Sequence, residues 1–169
     1  MPIFFYIGHF IGICAAILSF FTYIQKTRKK VVLIKLSCDC LWCLHYFLIG
    51  AYSGGAINIV NISRDTVVYY REDKAWAKSK LWLAAFLIFT FISGMLSWQG
   101  YISLMPMIGS FFGVLGIYQS EPRKISLVTL PGIILWLIYS IFVFSPQTMI
   151  CNIISITSVA IALFRPKKE

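Results

Sequence analysis

Between Ser37 and His45 the chain reads SCDCLWCLH, which puts three cysteines, a carboxylate, an indole and an imidazole within nine residues. Such groups could ligate a metal, form a disulfide or hold a small solute. A tetrahedral zinc site needs ligands that converge on one point at about 2.0–2.3 Å. A helix turns about 100° per residue, so Cys38, Trp42 and His45 share a face while Cys40 and Cys43 point largely away from it. The cysteines therefore read as small apolar fillers, with no metal or cofactor expected. Cys14 and Cys151 sit in separate segments without a loop context, so no structural disulfide is expected.

Trp42 carries more information. Asn58 follows it by 16 residues, and Asn152 follows Trp136 by the same 16. Trp42 lies 12 residues beyond Lys30, and Asn58 lies 13 before Arg71. At about 1.5 Å per residue these are depths of about 18 and 20 Å from the flanking charges, nearly one level. An indole packs on apolar C–H faces and a carboxamide both donates and accepts, a useful pair for a polyol or ribose ring. One such pair reads equally well as helix packing and interhelical glue; its duplication favours a pocket. Asn58, Asn61 and Asp65 fall within about 60° on a helix and form a polar stripe. Ser155, Val159 and Tyr139 replace Asn61, Asp65 and His45 in the second occurrence. The candidate binding set is Trp42, Asn58, Trp136 and Asn152, with Asn61, His45 and Tyr139, and it is more polar on its first side.

Asp39, Arg64 and Asp65 are charges inside apolar runs, where each costs about 2.5–3.5 kcal/mol at a bilayer centre. Asp39, about 13 Å deep, is expected to find Arg64. Two readings stay open for this network. It is a fixed clamp between two helices, or it is an inner gate in which one carboxylate titrates and couples transport to protons.

The elements that must position these residues are membrane helices. Of 169 residues 59% are hydrophobic and 12% charged, outside the soluble globular class. Seven apolar spans are expected at roughly 3–24, 32–50, 54–70, 81–97, 101–118, 125–144 and 147–164. The first lacks a basic flank and is too long for a signal peptide. Lys and Arg crowd the segments after spans 1, 3, 5 and 7, and loops 51–53, 98–100 and 145–146 contain neither. The positive-inside rule then predicts an outside N-terminus and a cytoplasmic C-terminus, and it absorbs the net charge of +9 without nucleic acid.

A shift of 94 residues overlays Gln25 on Gln119, Lys30 on Lys124, Trp42 on Trp136, Asn58 on Asn152 and Arg71 on Arg165. Leu33, Leu36, Leu41, Ile59 and Ile62 also meet identical residues. Residues 1–71 thus form one three-helix repeat and 101–169 a second, joined by a loop and linker helix over 72–100. A fourth span between two odd-numbered units makes them parallel about an axis along the membrane normal.

This 3+1+3 arrangement resembles the SWEET and PQ-loop transporter superfamily. The runs HYFLIGAYSGGAINIVN (His45–Asn61) and LMPMIGSFFG (Leu104–Gly113) resemble the YgjV family of bacterial inner-membrane proteins over nearly the whole chain. That resemblance implies a bacterial inner-membrane location. In the SWEET group a tryptophan and an asparagine of each repeat line the sugar pocket, a role the resemblance carries to Trp42, Asn58, Trp136 and Asn152. The superfamily bends its helices at prolines; Pro106 and Pro131 occupy such places in spans 5 and 6, whereas spans 1 and 2 have no interior proline and the Pro-Gln dipeptide is missing. No motif of hydrolytic or phosphate-binding enzymes occurs, so an enzyme is not expected. The expected function is a carrier for a small polar solute, a sugar or a nucleoside-like vitamin, and a monomer suffices for both repeats. The rival is an inner-membrane scaffold or small-molecule sensor that keeps the fold without flux.

Overall fold

The computed structural model describes residues 2–23, 27–119 and 122–164. Among them it contains seven α-helices and no strand: α1 (Pro2–Tyr23), α2 (Arg28–Leu48), α3 (Tyr52–Tyr70), α4 (Leu81–Leu96), α5 (Leu104–Ile117), α6 (Pro122–Phe142) and α7 (Pro146–Phe164). Segments Ile3–Phe21, Lys29–Leu48 and Lys124–Phe142 are long and apolar enough to cross a membrane. The apolar stretches Leu81–Leu96, Tyr101–Ile117 and Pro146–Ile161 are shorter. Buried Asn58, Asn61, Arg64 and Asp65 dilute the apolar character of α3. The span expected at 101–118 divides, because Tyr101–Ser103 forms a 3₁₀ turn and α5 keeps 14 residues.

The apolar surface points outward. Ile3, Phe4, Tyr6 and Phe10 of α1, Leu81, Phe91 and Leu96 of α4, and Ile150 and Ile153 of α7 are exposed, while the most buried positions include His45, Asp65, Ser140 and Ser145. An aqueous solvent would drive the opposite partition, and a hydrocarbon solvent accounts for this one.

Helix boundaries repeat as the identities do. Both ends of α6 lie 94 residues beyond those of α2, and both ends of α7 lie 94 beyond those of α3. The turns correspond as well. After α2 the Ala51 amide donates to the Tyr46 carbonyl at 2.8 Å, with Gly50 at φ +80°. After α6 the Ser145 amide donates to the Ser140 carbonyl at 2.9 Å, with Phe144 at φ +52°. Both are helix ends closed by one left-handed residue; a glycine takes that conformation freely, and Phe144 takes it at a steric cost. Of the repeat identities, Gln25 and Arg165 lie outside the described residues.

Within the first half α2 packs on α1 and α3, and within the second α6 packs on α5 and α7. The halves meet where α1 touches α7 and α3 touches α5, and α4 leans on α3 and α5. Backbones come close where α5 crosses α6: a Cβ added at Gly132 would stand 2.6 Å from the Gly109 carbonyl oxygen. Small residues are what permit such an approach between membrane helices.

Candidate functional site

A cavity of about 500 Å³ opens between the two halves. Its wall takes residues from α1, α2, α3, α5, α6 and α7 and none from α4. Trp42, Asn58, Trp136 and Asn152 all line it, joined by Asn61. These five were singled out by spacing, and the fold brings them to one space. Trp42 and Trp136 each lie six residues before the end of their helix, and Asn58 and Asn152 each lie six after the start of theirs. They therefore share a level about 9 Å from the end of the molecule that carries the α2–α3 and α6–α7 turns, termed here the turn end.

The two asparagines differ in their bonding. Asn58 Nδ2 donates to the Gly54 carbonyl of its own helix at 2.9 Å. Asn152 Nδ2 is buried without a partner. The rest of the wall is small or apolar on the α5–α6 side, where Gly109, Gly113, Gly132 and Ile133 lie, and polar on the α2–α3 side.

His45 and Tyr139, expected on the cavity wall, are instead fully buried above it and do not line it. Each crosses to the other half. His45 Nδ1 donates to the Gly8 carbonyl at 2.7 Å, and Nε2 meets Ser145 Oγ at 2.7 Å beside the first turn of α7. A carbonyl only accepts, so Nδ1 carries a hydrogen, and Nε2 of the neutral ring accepts from the serine. The Tyr139 hydroxyl accepts from the Gly54 amide at 2.9 Å and bonds Ser53 Oγ at 3.0 Å in the first turn of α3. A helix start leaves its first amides unpaired; at α3 they are taken by Tyr139 and by Gln99 Oε1, which receives the Ser53 amide at 3.1 Å. Gly12 and Gly54 make room for these rings, since a Cβ there would come within 2.8 Å of His45 and Tyr139 respectively. Spacing alone marked both residues as polar at the right depth; their partners are about a hundred residues away, which periodicity does not report. The two rings, with Tyr46 and Trp136 beside them, close the cavity at the turn end.

At the opposite end lies the ionic network, and one expectation for it is corrected. Asp39 pairs with Lys35, at 2.9 Å, and makes no ion pair with Arg64. Lys35 also reaches Asp65 across the α2–α3 seam at 2.5 Å, and Arg64 Nε donates to Asp65 at 2.8 Å. Arg64 Nη1 donates to Asn61 Oδ1 at 3.1 Å. Arg64 neighbours Asp65 in sequence and turns toward it, which leaves Lys35, one turn before Asp39 on the same helix, as the nearer cation. The i, i+4 spacing of Lys35 and Asp39 was the signal that sequence reasoning missed. The Lys35 side chain keeps 43% of its surface accessible although it sits among buried partners. The cavity therefore admits solvent at this end.

The hinge candidates also separate. Pro106 falls in the first turn of α5, where a backbone donor has no partner to lose, so it frees no carbonyl. Pro131 is interior to α6 and leaves the Leu127 carbonyl without its usual donor. Within Ser37–His45, Cys40 is exposed while Cys43 Sγ donates to the Gly55 carbonyl at 3.5 Å; the cysteines diverge as the helical geometry predicts.

The geometry defines an all-helical membrane protein with a cavity between two halves, apolar on one wall and polar on the other. The chain belongs to the Imp-YgjV family, described as bacterial inner membrane protein, whose model matches residues 6–169. No curated protein and no solved structure matches it.

Proposed function

We propose that this protein is a small carrier for a polar solute, moved through the central cavity by alternating access. In this reading all seven helices span the inner membrane as a 3+1+3 array resembling SWEET transporters, with the N-terminus outside and the basic segments in the cytoplasm. The observation that carries it is the cavity itself, with a tryptophan and an asparagine from each half at one level and α4 taking no part. A scaffold would fill that space with side chains. A volume of about 500 Å³ falls within the range of small-molecule sites and suits a monosaccharide or a nucleoside. Closure at the turn end and solvent access beside Lys35 fit a carrier that faces the cytoplasm.

The test is uptake of labelled sugars and nucleosides into proteoliposomes, run beside ligand-induced thermal shifts. Asn58→Leu and Asn152→Leu are expected to lose binding and uptake. Thermal shifts without uptake would favour a sensor, and the absence of both would favour a scaffold.

A further inference from the structure

α4 takes no part in the central cavity, and of its residues only Phe86, Thr90 and Gly94 are buried. A groove of about 460 Å³ runs along its seam with α3, lined by Ile59, Ser63 and Thr66 of α3 and Trp82, Phe86 and Phe89 of α4. Its two hydroxyls are spent within α3: Ser63 Oγ donates to the Ile59 carbonyl at 3.0 Å and Thr66 Oγ1 to the Ile62 carbonyl at 2.9 Å. What remains for an occupant is apolar, and Ile59 and Phe89 are exposed along it. Trp82 to Phe89 covers about 11 Å of helix, within the half of a roughly 30 Å hydrocarbon core that one leaflet supplies.

One end of this groove is closed by aromatic rings and cations. Tyr70, Trp76, Trp82 and Phe86 form a ladder with successive ring centroids 6.0, 5.9 and 5.4 Å apart. Trp82 Nε1 donates to the Trp76 carbonyl at 3.0 Å, and Ala77 is buried in one cluster with Val60, Val67 and Phe86. The 3₁₀ turn Ala75–Lys78 is thereby pinned across the end of the groove. Lys74 precedes this turn, Lys78 closes it, and Lys80 precedes α4, two residues before Trp82. All three lysines are exposed, and among the described residues none makes an ion pair. Residues 71–80 hold four cations against two acids, and Asp73 is taken by Lys29 at 2.6 Å. Tryptophan, tyrosine and lysine are the side chains that settle at headgroup level, with an apolar body and a polar tip.

We propose that this groove binds an anionic phospholipid of the leaflet at the basic end, with one acyl chain along α3 and α4 and the phosphate beside Lys78 and Lys80. Orientation in the membrane accounts for lysines at this end; it does not account for a groove that begins beneath them. The other end of the seam offers no cation, since loops 51–53 and 98–100 contain neither Lys nor Arg, so the lipid has one direction. A second copy of the chain is the poorer occupant. Copies inserted in one membrane share an orientation, so lysines would meet lysines, whereas a phosphate brings the opposite charge.

The test titrates the full chain in detergent with palmitoyl-oleoyl phosphatidylglycerol or with the phosphatidylcholine of the same chains. Thermal shift gives the midpoint, and native mass spectrometry counts the lipid retained. Phosphatidylglycerol is expected to bind about tenfold or more tighter than phosphatidylcholine. Lys78→Gln combined with Lys80→Gln should weaken phosphatidylglycerol about five- to thirtyfold and leave phosphatidylcholine unchanged. Lys30→Gln combined with Lys124→Gln removes as much charge from the starts of α2 and α6, which do not line the groove, and should bind like wild type. Ser63→Phe fills the groove and should displace both lipids with every lysine in place. Ser63 is exposed, so this variant crowds no core; if it fails to fold, the paired lysine variants decide alone. Equal binding of the two lipids, equal losses in the two lysine pairs, or a folded Ser63→Phe that holds phosphatidylglycerol like wild type would each overturn the site. A wild-type dimer that Ser63→Phe dissociates would give the groove to a second copy and overturn it as well.

Discussion

His45 Nε2 and Ser145 Oγ stand 2.7 Å apart, joining α2 to the start of α7, and 94 residues on from His45 the phenol of Tyr139 joins α6 to the start of α3. Two ends of one fold thus tie each other by a reciprocal exchange. Tyr139→Phe removes the acceptor of the Gly54 amide and leaves that buried donor unpaired. The expected loss is about 1–3 kcal/mol of stability, read as a lower melting temperature in detergent. His45→Ala should cost more, because it breaks two bonds and empties the space beside Gly12. Unchanged melting in both variants would show that these contacts do not hold the turn end shut.

Lys35 is the cation that Asp39 and Asp65 share. Lys35→Met leaves Asp39 without its partner, while Asp65 keeps Arg64. Because the lysine is reached by solvent, the expected loss is about 1.5–3 kcal/mol, below that for a fully buried pair. Adding Asp39→Asn should restore much of it. A double variant as unstable as the sum of the single variants would deny the coupling.

Gly132→Ala and Gly113→Ala make a matched pair. At Gly132 the new methyl would stand 2.6 Å from the Gly109 carbonyl, so α5 and α6 must part. About 1–3 kcal/mol of destabilisation is expected. At Gly113 the nearest atom is Arg64 Nη1 at 3.4 Å, the end of a long side chain, and the protein should melt close to wild type. Equal effects at the two sites would contradict the packing.

Lys29 Nζ lies 2.6 Å from Asp73, which places the start of α2 and the segment after α3 at one end of the molecule. That end carries the basic residues Arg71, Lys74, Lys78 and Lys80. In a variant with its native cysteines replaced, a cysteine at position 74 should resist membrane-impermeant maleimide in intact cells and react after permeabilisation. Ready labelling in intact cells would reverse the proposed orientation.

Much of this arrangement is one-dimensional information. Apolar runs bounded by Lys and Arg specify helices whose solvent is hydrocarbon, since only a backbone bonded within itself is tolerated there. The offset of 94 residues and the constant spacing of Trp42 to Asn58 survive in a linear text, and so the level shared by those side chains was legible before any packing was known. Periodicity also separated Cys40 and Cys43 from the face of Cys38, because a helix's own geometry sets that angle.

Partner choice across helices was not legible. Asp39 had two cations within plausible reach, and which one it meets depends on how far α2 and α3 are rotated about their axes, a matter of side-chain packing along the whole seam. His45 and Tyr139 looked like cavity residues from depth alone; the close approach that Gly12 and Gly54 allow turns them into ties between halves. Depth and face follow from rise and rotation per residue, which each helix carries in its own sequence; contacts between helices follow from the joint packing of six of them, which only the tertiary structure decided.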